Sequence, residues 1–217
     1  MLSLIPHALL FQTRQRLKKI KASKQIWDRA LADDYRLADL SGLDSHPVFA
    51  DFRAGWNDDG LLFNVLVAGK KNKVRCDSEQ PLESDGLQLW IDTRNTPGVH
   101  RANRFCHLFC ALPAGSGKNK QQPSARQLEI PRCREAAPLA SAESLRCKSN
   151  INHEGYSLSL WIPAESLNGF DPDQSPLLGF YYAILDNELG LQTLGIGQEF
   201  PYHSDPSLWQ CLELSEV

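Results

Sequence analysis

Alternation of apolar and polar residues is the strongest signal in the sequence. Between residues 48 and 68 every second residue is apolar, and the turn-forming Asn-Asp-Asp-Gly at 57–60 interrupts the run. The apolar positions are Val48, Ala50, Phe52, Ala54 and Trp56 before the turn and Leu61, Phe63, Val65 and Val67 after it. A period of two residues predicts strands, and Asn-rich, Gly-containing turns join antiparallel strands. The sequence therefore predicts a β-hairpin over 48–68.

Further short strands are predicted along the rest of the chain. They are expected at residues 4–13, 35–40, 86–92, 104–112, 155–163, 178–186 and 208–214, with single helical turns in 25–33 and at 164–167. Residues 113–150 are rich in Gly, Ser, Lys, Gln, Pro and Ala, which predicts a long, partly mobile excursion with a brief strand near 127–130.

Eight to ten or more short strands separated by turns indicate an all-β fold. The pattern predicts a β-sandwich or jelly roll of mostly antiparallel strands, with long loops and little helix. At 217 residues the chain is expected to form one domain, 1–217. Residues 48–215 would form its core and residues 1–47 an extension packed on it.

Composition and charge narrow the classes of partner. The chain carries 23 Lys and Arg against 26 Asp and Glu, which gives no general attraction to nucleic acid or an anionic membrane. Six basic residues between 14 and 24 lack aromatic and apolar anchors, so they predict a solvated connection. No apolar run approaches the roughly 20 residues of a membrane span. We expect neither a nucleic-acid nor a membrane partner.

The N-terminal sequence indicates the cellular location, which in turn determines the expected redox state of the cysteines. Leu2 to Phe11 is apolar, but its basic residues follow the run instead of preceding it, which is not the pattern of a cleaved signal. A cytoplasmic location is therefore expected. The six cysteines would then be reduced thiols rather than three disulfides.

The strand at 86–92 carries the most unusual pattern. Leu87, Leu89 and Ile91 alternate with Gln88, Trp90 and Asp92, so an amide, an indole and a carboxylate share one face. Trp161 likewise lies opposite the aliphatic row of its own strand. If both strands belong to one sheet, the two indoles share a surface on which a sugar ring can stack.

Six residues are the ligand-binding candidates on this surface: Trp90, Trp161, Gln88, Asp92, Arg104 and His107. Sugars are gripped by planar polar groups around an apolar floor, which is what these side chains offer. Two other interpretations stay open. The indoles are buried under 113–150 or the N-terminal segment, and Asp92 pairs with Arg94 or Arg104 in an ordinary polar network.

Four segments resemble the family 9 carbohydrate-binding modules, within the wider set of DOMON-like β-sandwiches. They are 54–61, 85–92, 155–163 with Leu167, and 178–186, in the family's order. The resemblance implies a non-catalytic module that binds a carbohydrate or another small polar ligand. Family members clamp a sugar between aromatic rings, one of them shortly before the Asp of the central strand. Residues 81–84 contain no aromatic, and Gln88 stands at an acidic position, so a structural or protein-interaction domain without the sugar site is the alternative.

Catalytic, metal and cofactor sites are not predicted. The sequence has no nucleophile elbow and no complete phosphate loop. Cys106 and His107 would point to opposite faces of one strand, which argues against a zinc site. A glycoside hydrolase with carboxylates near Asp186 is a further alternative, although nothing in the sequence fixes their separation.

Overall fold

The computed structural model describes residues 12–21, 23, 25–40 and 47–216. These residues form eleven β-strands, and their helical content is limited to single turns of 3-10 helix at 26–28, 33–35, 81–83, 164–166 and 206–208. The strands are β1 (Arg14–Lys18), β2 (Ala50–Asn57), β3 (Gly60–Ala68), β4 (Gly86–Asp92), β5 (Cys106–Ser116), β6 (Gln122–Leu128), β7 (Arg146–Ile151), β8 (Gly155–Pro163), β9 (Leu177–Asp186), β10 (Gly190–Thr193) and β11 (Gln210–Ser215). The predicted all-β sandwich is confirmed.

The strands form two sheets. The larger has the order β1-β11-β9-β4-β5-β6, with β10 also paired to β9, and the smaller has the order β2-β3-β8-β7. Strand pairs are antiparallel except for β1 beside β11. The predicted hairpin at 48–68 is β2–β3, in which Asn57 pairs with Gly60 across the turn.

Alternating residues pack between the two sheets. Tyr182 of β9 lies opposite Leu89 of β4, and its ring stacks on Phe52 of β2 at 4.1 Å between centroids. Phe180 stacks in the same way on Phe63 of β3. Because Leu89 shares the face of Tyr182, the aliphatic row of β4 points into the core, as the period-two pattern predicts.

The outer faces of both sheets are partly covered by connecting segments. Residues 194–209 bring Tyr202 and Trp209 over the larger sheet, and the Trp209 indole donates to the Tyr202 carbonyl at 2.8 Å. Ile20, Ile26 and Leu31 pack on one end of the smaller sheet. Apolar side chains are thus buried on both faces of each sheet.

The N-terminal region differs from its prediction. Residues 1–11 lie outside the described residues, so most of the strand expected at 4–13 is not tested. The first described strand, β1, lies instead in the basic stretch that was expected to be a solvated connection, and it runs parallel to β11. Residues 35–40 do not form the expected strand, since Tyr35 ends a 3-10 turn and Arg36 makes only an isolated bridge to Arg53.

The 113–150 region is more regular than its composition suggests. It holds the end of β5, the whole of β6 and all but the last residue of β7, and the expected run at 127–130 overlaps the end of the longer β6. Both β6 and β7 are the last strands of their sheets, where one side of the strand is unpaired. Strands at such positions tolerate polar residues, which hides them from a hydrophobic pattern. The short strand β10 was missed as well.

All six cysteines lie in the described part of the chain and are free thiols. Within the same residues, no helix is long and apolar enough to cross a lipid bilayer.

Candidate functional site

The two candidate tryptophans lie on different sheets. Trp90 is on the outer face of the larger sheet, and Trp161 is on the outer face of the smaller one, so the body of the sandwich separates them. Their exposed fractions are 1% and 7%. The expected common surface for both indoles is therefore wrong. Alternation along a strand shows which residues share a face, but not which sheet the strand joins.

Trp90 is sealed by aromatic rings. Its ring centroid lies 6.3 Å from that of Tyr181 and 5.4 Å from that of Tyr202, both in edge-to-face geometry. Among the described residues, its indole N–H has no hydrogen-bond partner. Tyr202 belongs to residues 194–209, and the sequence did not indicate that this segment buries Trp90.

Trp161 is buried by the N-terminal segment. It forms a small cluster with Ile20, Ile26, Leu31 and Leu62, against which Trp27 and Tyr35 are partly buried. This arrangement matches the alternative in which the N-terminal segment covers the indole. Burial of a ring this large contributes packing energy rather than an open stacking surface.

The polar candidates on the larger sheet do not form one constellation. Asp92 is buried and accepts hydrogen bonds from the main-chain N–H groups of Arg94 and Thr96, at 2.9 and 3.0 Å, so it caps a turn instead of pairing with a guanidinium. Burial raises its pKa. Gln88 is half-buried and donates to the carbonyl of Leu82, whereas Arg104 is exposed over the Phe105 ring.

His107 lies inside the sandwich. Its Nδ1 is 3.1 Å from the Gln127 amide nitrogen, and its Nε2 is 3.4 Å from the carbonyl oxygen of Asn168. These partners fit a neutral ring in which Nε2–H donates and Nδ1 accepts. Burial lowers the pKa of His107 to about 4. The six candidates therefore share no open surface.

An open trough lies instead on the outer face of the smaller sheet. Strand register aligns two rows across β2, β3, β8 and β7: Arg53, Asn64, Ser159 and Lys148 in one, and Asp51, Leu66, Ser157 and Asn150 in the other. These eight residues line a cavity of about 580 Å³, which we call the outer trough. Its volume is within the range of small-molecule sites. The apolar cluster around Trp161 bounds one end, where Leu31 belongs to both.

Hydrogen bonds hold part of the outer trough rigid. The Asn64 amide donates to Ser159 Oγ at 2.9 Å and accepts from the N–H of Leu31 at 2.7 Å. The Arg53 guanidinium donates to both carboxylate oxygens of Asp51, at 3.1 and 2.7 Å. These hydrogen bonds stabilise the Asp51 carboxylate more than burial destabilises it, so the pKa of Asp51 is lowered to about 2. The charged groups on the β2 side are fixed before any ligand arrives.

Other groups in the outer trough are available to a ligand. Within the described residues, the side chains of Ser157 and Asn150 have no hydrogen-bond partner, and both are exposed. Leu66, at 52% exposed, lies between Asp51 and Ser157 in its row. Free hydroxyl and amide groups beside an apolar side chain can bind the polar edge and the C–H face of a small ligand together.

The outer trough was missed, although each of its strands carried a partial signal. The sequence placed Asn64 and Leu66 on one face of the predicted hairpin, and Ser157, Ser159 and Trp161 on one face of their strand. It did not show that β3 pairs with β8, which brings these rows together. The polar β7 was not predicted as a strand.

Comparison with solved structures gives the architecture a context. A family 9 carbohydrate-binding module from Caldicellulosiruptor kristjanssonii in complex with cellotriose superposes with a TM-score of 0.59 at 12% identity, covering 94% of this chain and 95% of that one. The chain has the fold of the family 9 carbohydrate-binding modules. The same organism's module with glucose gives a TM-score of 0.57 at 12% identity, over 94% and 97% of the two chains.

A protein from Bacteroides uniformis that is described as carbohydrate-binding also has a similar structure. Its TM-score is 0.56 at 15% identity, covering 94% of this chain and all of that one. No protein-family model matches the chain. No curated protein sequence matches it either. At these identities the likeness to family 9 modules concerns the fold, and a ligand has to be argued from this chain's own residues.

Asp186, near which a hydrolytic site was considered, is not exposed. Asp85 and Asp186 are buried on either side of Lys70, whose ammonium lies 3.2 Å from Asp85 and 2.6 Å from Asp186. Asp85 also accepts from the N–H of Arg75, and Asp186 from those of Glu188 and Leu189. The arrangement is a buried ion cluster that ties the loop after β3 to the end of β9.

Proposed function

We propose that this chain is a non-catalytic carbohydrate-binding module whose ligand site is the outer trough. One observation carries the proposal: strand register sets free hydroxyl and amide groups around an exposed aliphatic side chain on the outer face of the smaller sheet. Hydroxyl-rich ligands of low charge are bound by such groups, with the apolar C–H face of the sugar packed on the aliphatic surface. The fold likeness to family 9 modules supports the same ligand class.

The outer trough suits a neutral saccharide better than an ion. Its charged groups are already paired, Arg53 with Asp51 and Lys148 with Asp28, so no unpaired charge dominates it. Ser157 and Asn150 are neutral, and each has donor and acceptor capacity. A neutral ligand is expected to bind weakly, with a Kd near the millimolar range, because a shallow site buries only part of it.

Binding is tested by calorimetric titration with glucose, cellotriose and a panel of other neutral mono- and oligosaccharides. The double variant Leu66→Thr/Ser157→Ala removes the apolar floor and one free hydroxyl while keeping strand-compatible residues. We expect it to weaken binding by about tenfold or more, since each lost contact is worth roughly 1 kcal/mol.

A matched control is the double variant Val48→Thr/Ser141→Ala. Val48 is an exposed aliphatic residue and Ser141 an exposed hydroxyl, and both lie outside the outer trough. This variant should bind like the unmodified protein. The proposal is overturned if no neutral saccharide in the panel binds, or if the two double variants bind equally.

A further inference from the structure

We infer that a second groove, next to the outer trough, binds an acidic saccharide through three lysines. The groove encloses about 790 Å³ where the loop after β3, the β5–β6 hairpin and the end of β7 meet. Lys71, Lys73 and Lys120 line it, and we call it the lysine groove. The inference rests on the proposed function only in taking the ligand to be a saccharide.

The lysines of this groove are unpaired. Within the described residues, none of the three ammonium groups lies in an ion pair, whereas Lys18, Lys19, Lys70 and Lys148 each contact a carboxylate. Clustered like charges repel one another, and an anionic ligand relieves that repulsion. The arrangement therefore favours a ligand with negative charge.

Nearby acidic groups do not neutralise the lysine groove. No acidic residue lines it. Glu188, beside its loop, accepts hydrogen bonds from the main-chain N–H groups of Lys71 and Asn72, at 2.9 to 3.1 Å, and so holds the loop in place. Glu154 lies 3.7 Å from the His153 ring on the turn beyond. Burial raises the pKa of the lining thiol Cys76 to about 11, so it adds no charge at neutral pH.

The remaining lining groups select for a sugar among anions. Val74, Ala114 and Ile151 give the groove apolar surface, and Ile151 is 41% exposed. Amides of Asn72, Gln121 and Asn152 lie beside it. An inorganic ion needs no apolar surface, and single-stranded nucleic acid binds by stacking its bases on Phe, Tyr or Trp rings, none of which lines this groove. A carboxylated sugar uses the apolar surface, the amides and the lysines together.

The two sites adjoin at β7. Ser149 and Asn150 of β7 line both the outer trough and the lysine groove. A chain of sugar units crossing β7 therefore contacts neutral groups on one side and lysines on the other. This geometry fits an oligosaccharide that carries carboxylates along its length.

The probe is an oligogalacturonate, with its methyl ester as the matched uncharged ligand. At low ionic strength we expect the acid form to bind at least about tenfold more tightly than the ester, with the affinity falling as salt is added. The triple variant Lys71→Gln/Lys73→Gln/Lys120→Gln should lose about tenfold or more of that affinity.

A triple control separates the groove from overall charge. Lys18→Gln/Lys21→Gln/Lys118→Gln changes the net charge equally, and none of these lysines lines the groove. The inference is supported if this control variant binds oligogalacturonate with an affinity within about twofold of that of the unmodified protein. The inference is overturned if the two triple variants lose affinity equally, or if the acid and its ester bind equally. It is also overturned if the acid does not bind, or if a single-stranded oligodeoxynucleotide binds more tightly than the acid.

Neutral and acidic saccharides test the outer trough and the lysine groove separately. If neutral saccharides bind in a way that depends on Leu66 and Ser157, but oligogalacturonate does not bind, only the lysine groove is overturned as a binding site. If oligogalacturonate binds in a way that depends on the three lysines, but no neutral saccharide binds, the outer trough is overturned as a binding site and the lysine groove is supported.

Discussion

At the scale of single residues, buried polar side chains show the clearest physical consequences. His107 was predicted to bind a ligand from its position on an alternating strand, yet it points between the sheets and is fully buried. Its neutral ring is matched by one donor and one acceptor, Gln127 and the Asn168 carbonyl. His107 pairs with the core-facing Ile91, so it lies on the face opposite Trp90, and alternation along its own strand did not show this.

The low pKa of His107 makes stability depend on pH. The unfolded ring titrates near 6.5 and the folded ring near 4, so between these values the unfolded state binds the extra proton and stability falls as the pH is lowered. The full difference corresponds to about 3 kcal/mol. Urea denaturation of His107→Gln between about pH 4 and 6.5 should show a shallower pH dependence. His153→Gln, at an exposed position, should keep the original slope.

Loss of Lys70 should cost the fold much of its stability. Burial opposes its charge, but hydrogen bonds and attraction to Asp186 and Asp85 prevail and raise its pKa. Lys70→Met would leave two carboxylates buried with no cation between them. We expect a loss of about 3 to 5 kcal/mol in the free energy of unfolding.

The exposed neighbour Lys71 provides the control for this change. Lys71→Met should change the free energy of unfolding by less than about 0.5 kcal/mol in the same urea titration. A Lys70→Met variant as stable as Lys71→Met would mean that the buried ion cluster does not form in solution.

At the scale of elements, the sequence predicted the strands with a regular apolar row well and the polar strands poorly. β2, β3, β4, β8 and β9 bury a regular apolar row, which alternation detects. β6 and β7 are polar edge strands, and β1 is a basic strand whose partner follows 197 residues later in the chain. The outer trough depends on the pairing of β3, β8 and β7, a long-range property that no local pattern contains.

At one end of the β3–β8 pair, the close approach of the two strands depends on a glycine. Gly155 has a φ of +155°, and a Cβ atom built there would lie 2.0 Å from the carbonyl oxygen of Val67. Gly155→Ala should therefore destabilise the protein by about 3 kcal/mol or more, because the backbone of β3 has to move. Thermal unfolding followed by circular dichroism measures the change.

Gly69 is the matched position for this test. It follows β3 with a φ of +88°, but a Cβ atom there meets nothing within 4 Å. Gly69→Ala should cost only the backbone strain, about 1 to 2 kcal/mol. Equal melting temperatures for the two alanine variants would contradict the close approach of the strands.

At the scale of the whole molecule, the thiols report on global opening. Cys106 and Cys110 are buried, and burial raises the pKa of each to about 12. At about pH 8 only roughly one molecule in ten thousand carries the reactive thiolate at these positions. Iodoacetamide should label both only after unfolding in urea, as read by mass spectrometry. Cys133, one of four half-buried thiols, should react before Cys106 and Cys110 in the folded protein.

The fold of the whole molecule was easier to predict from the sequence than the ligand site. The resemblance to family 9 modules, resting on short segments, is matched by a fold likeness over 94% of the chain. The burial of Trp90 and Trp161 was not predictable from short segments. Each indole lies under a segment that is distant from it in the sequence, and local patterns do not show where such a segment packs. Leu66 and Ser157 looked like ordinary solvent-facing residues of their strands.

The parallel pairing of β1 with β11 has a mechanical consequence. The five paired positions of these strands lie side by side and run in one direction, and beyond them the Ile20 N–H donates to the carbonyl of Trp56 in the other sheet. Tension applied between the N-terminal side of β1 and the C-terminal side of β11 would act along the strands. Several bonds would then have to break at once instead of unzipping in sequence, and the fold should resist stretching more strongly than its thermal stability alone implies.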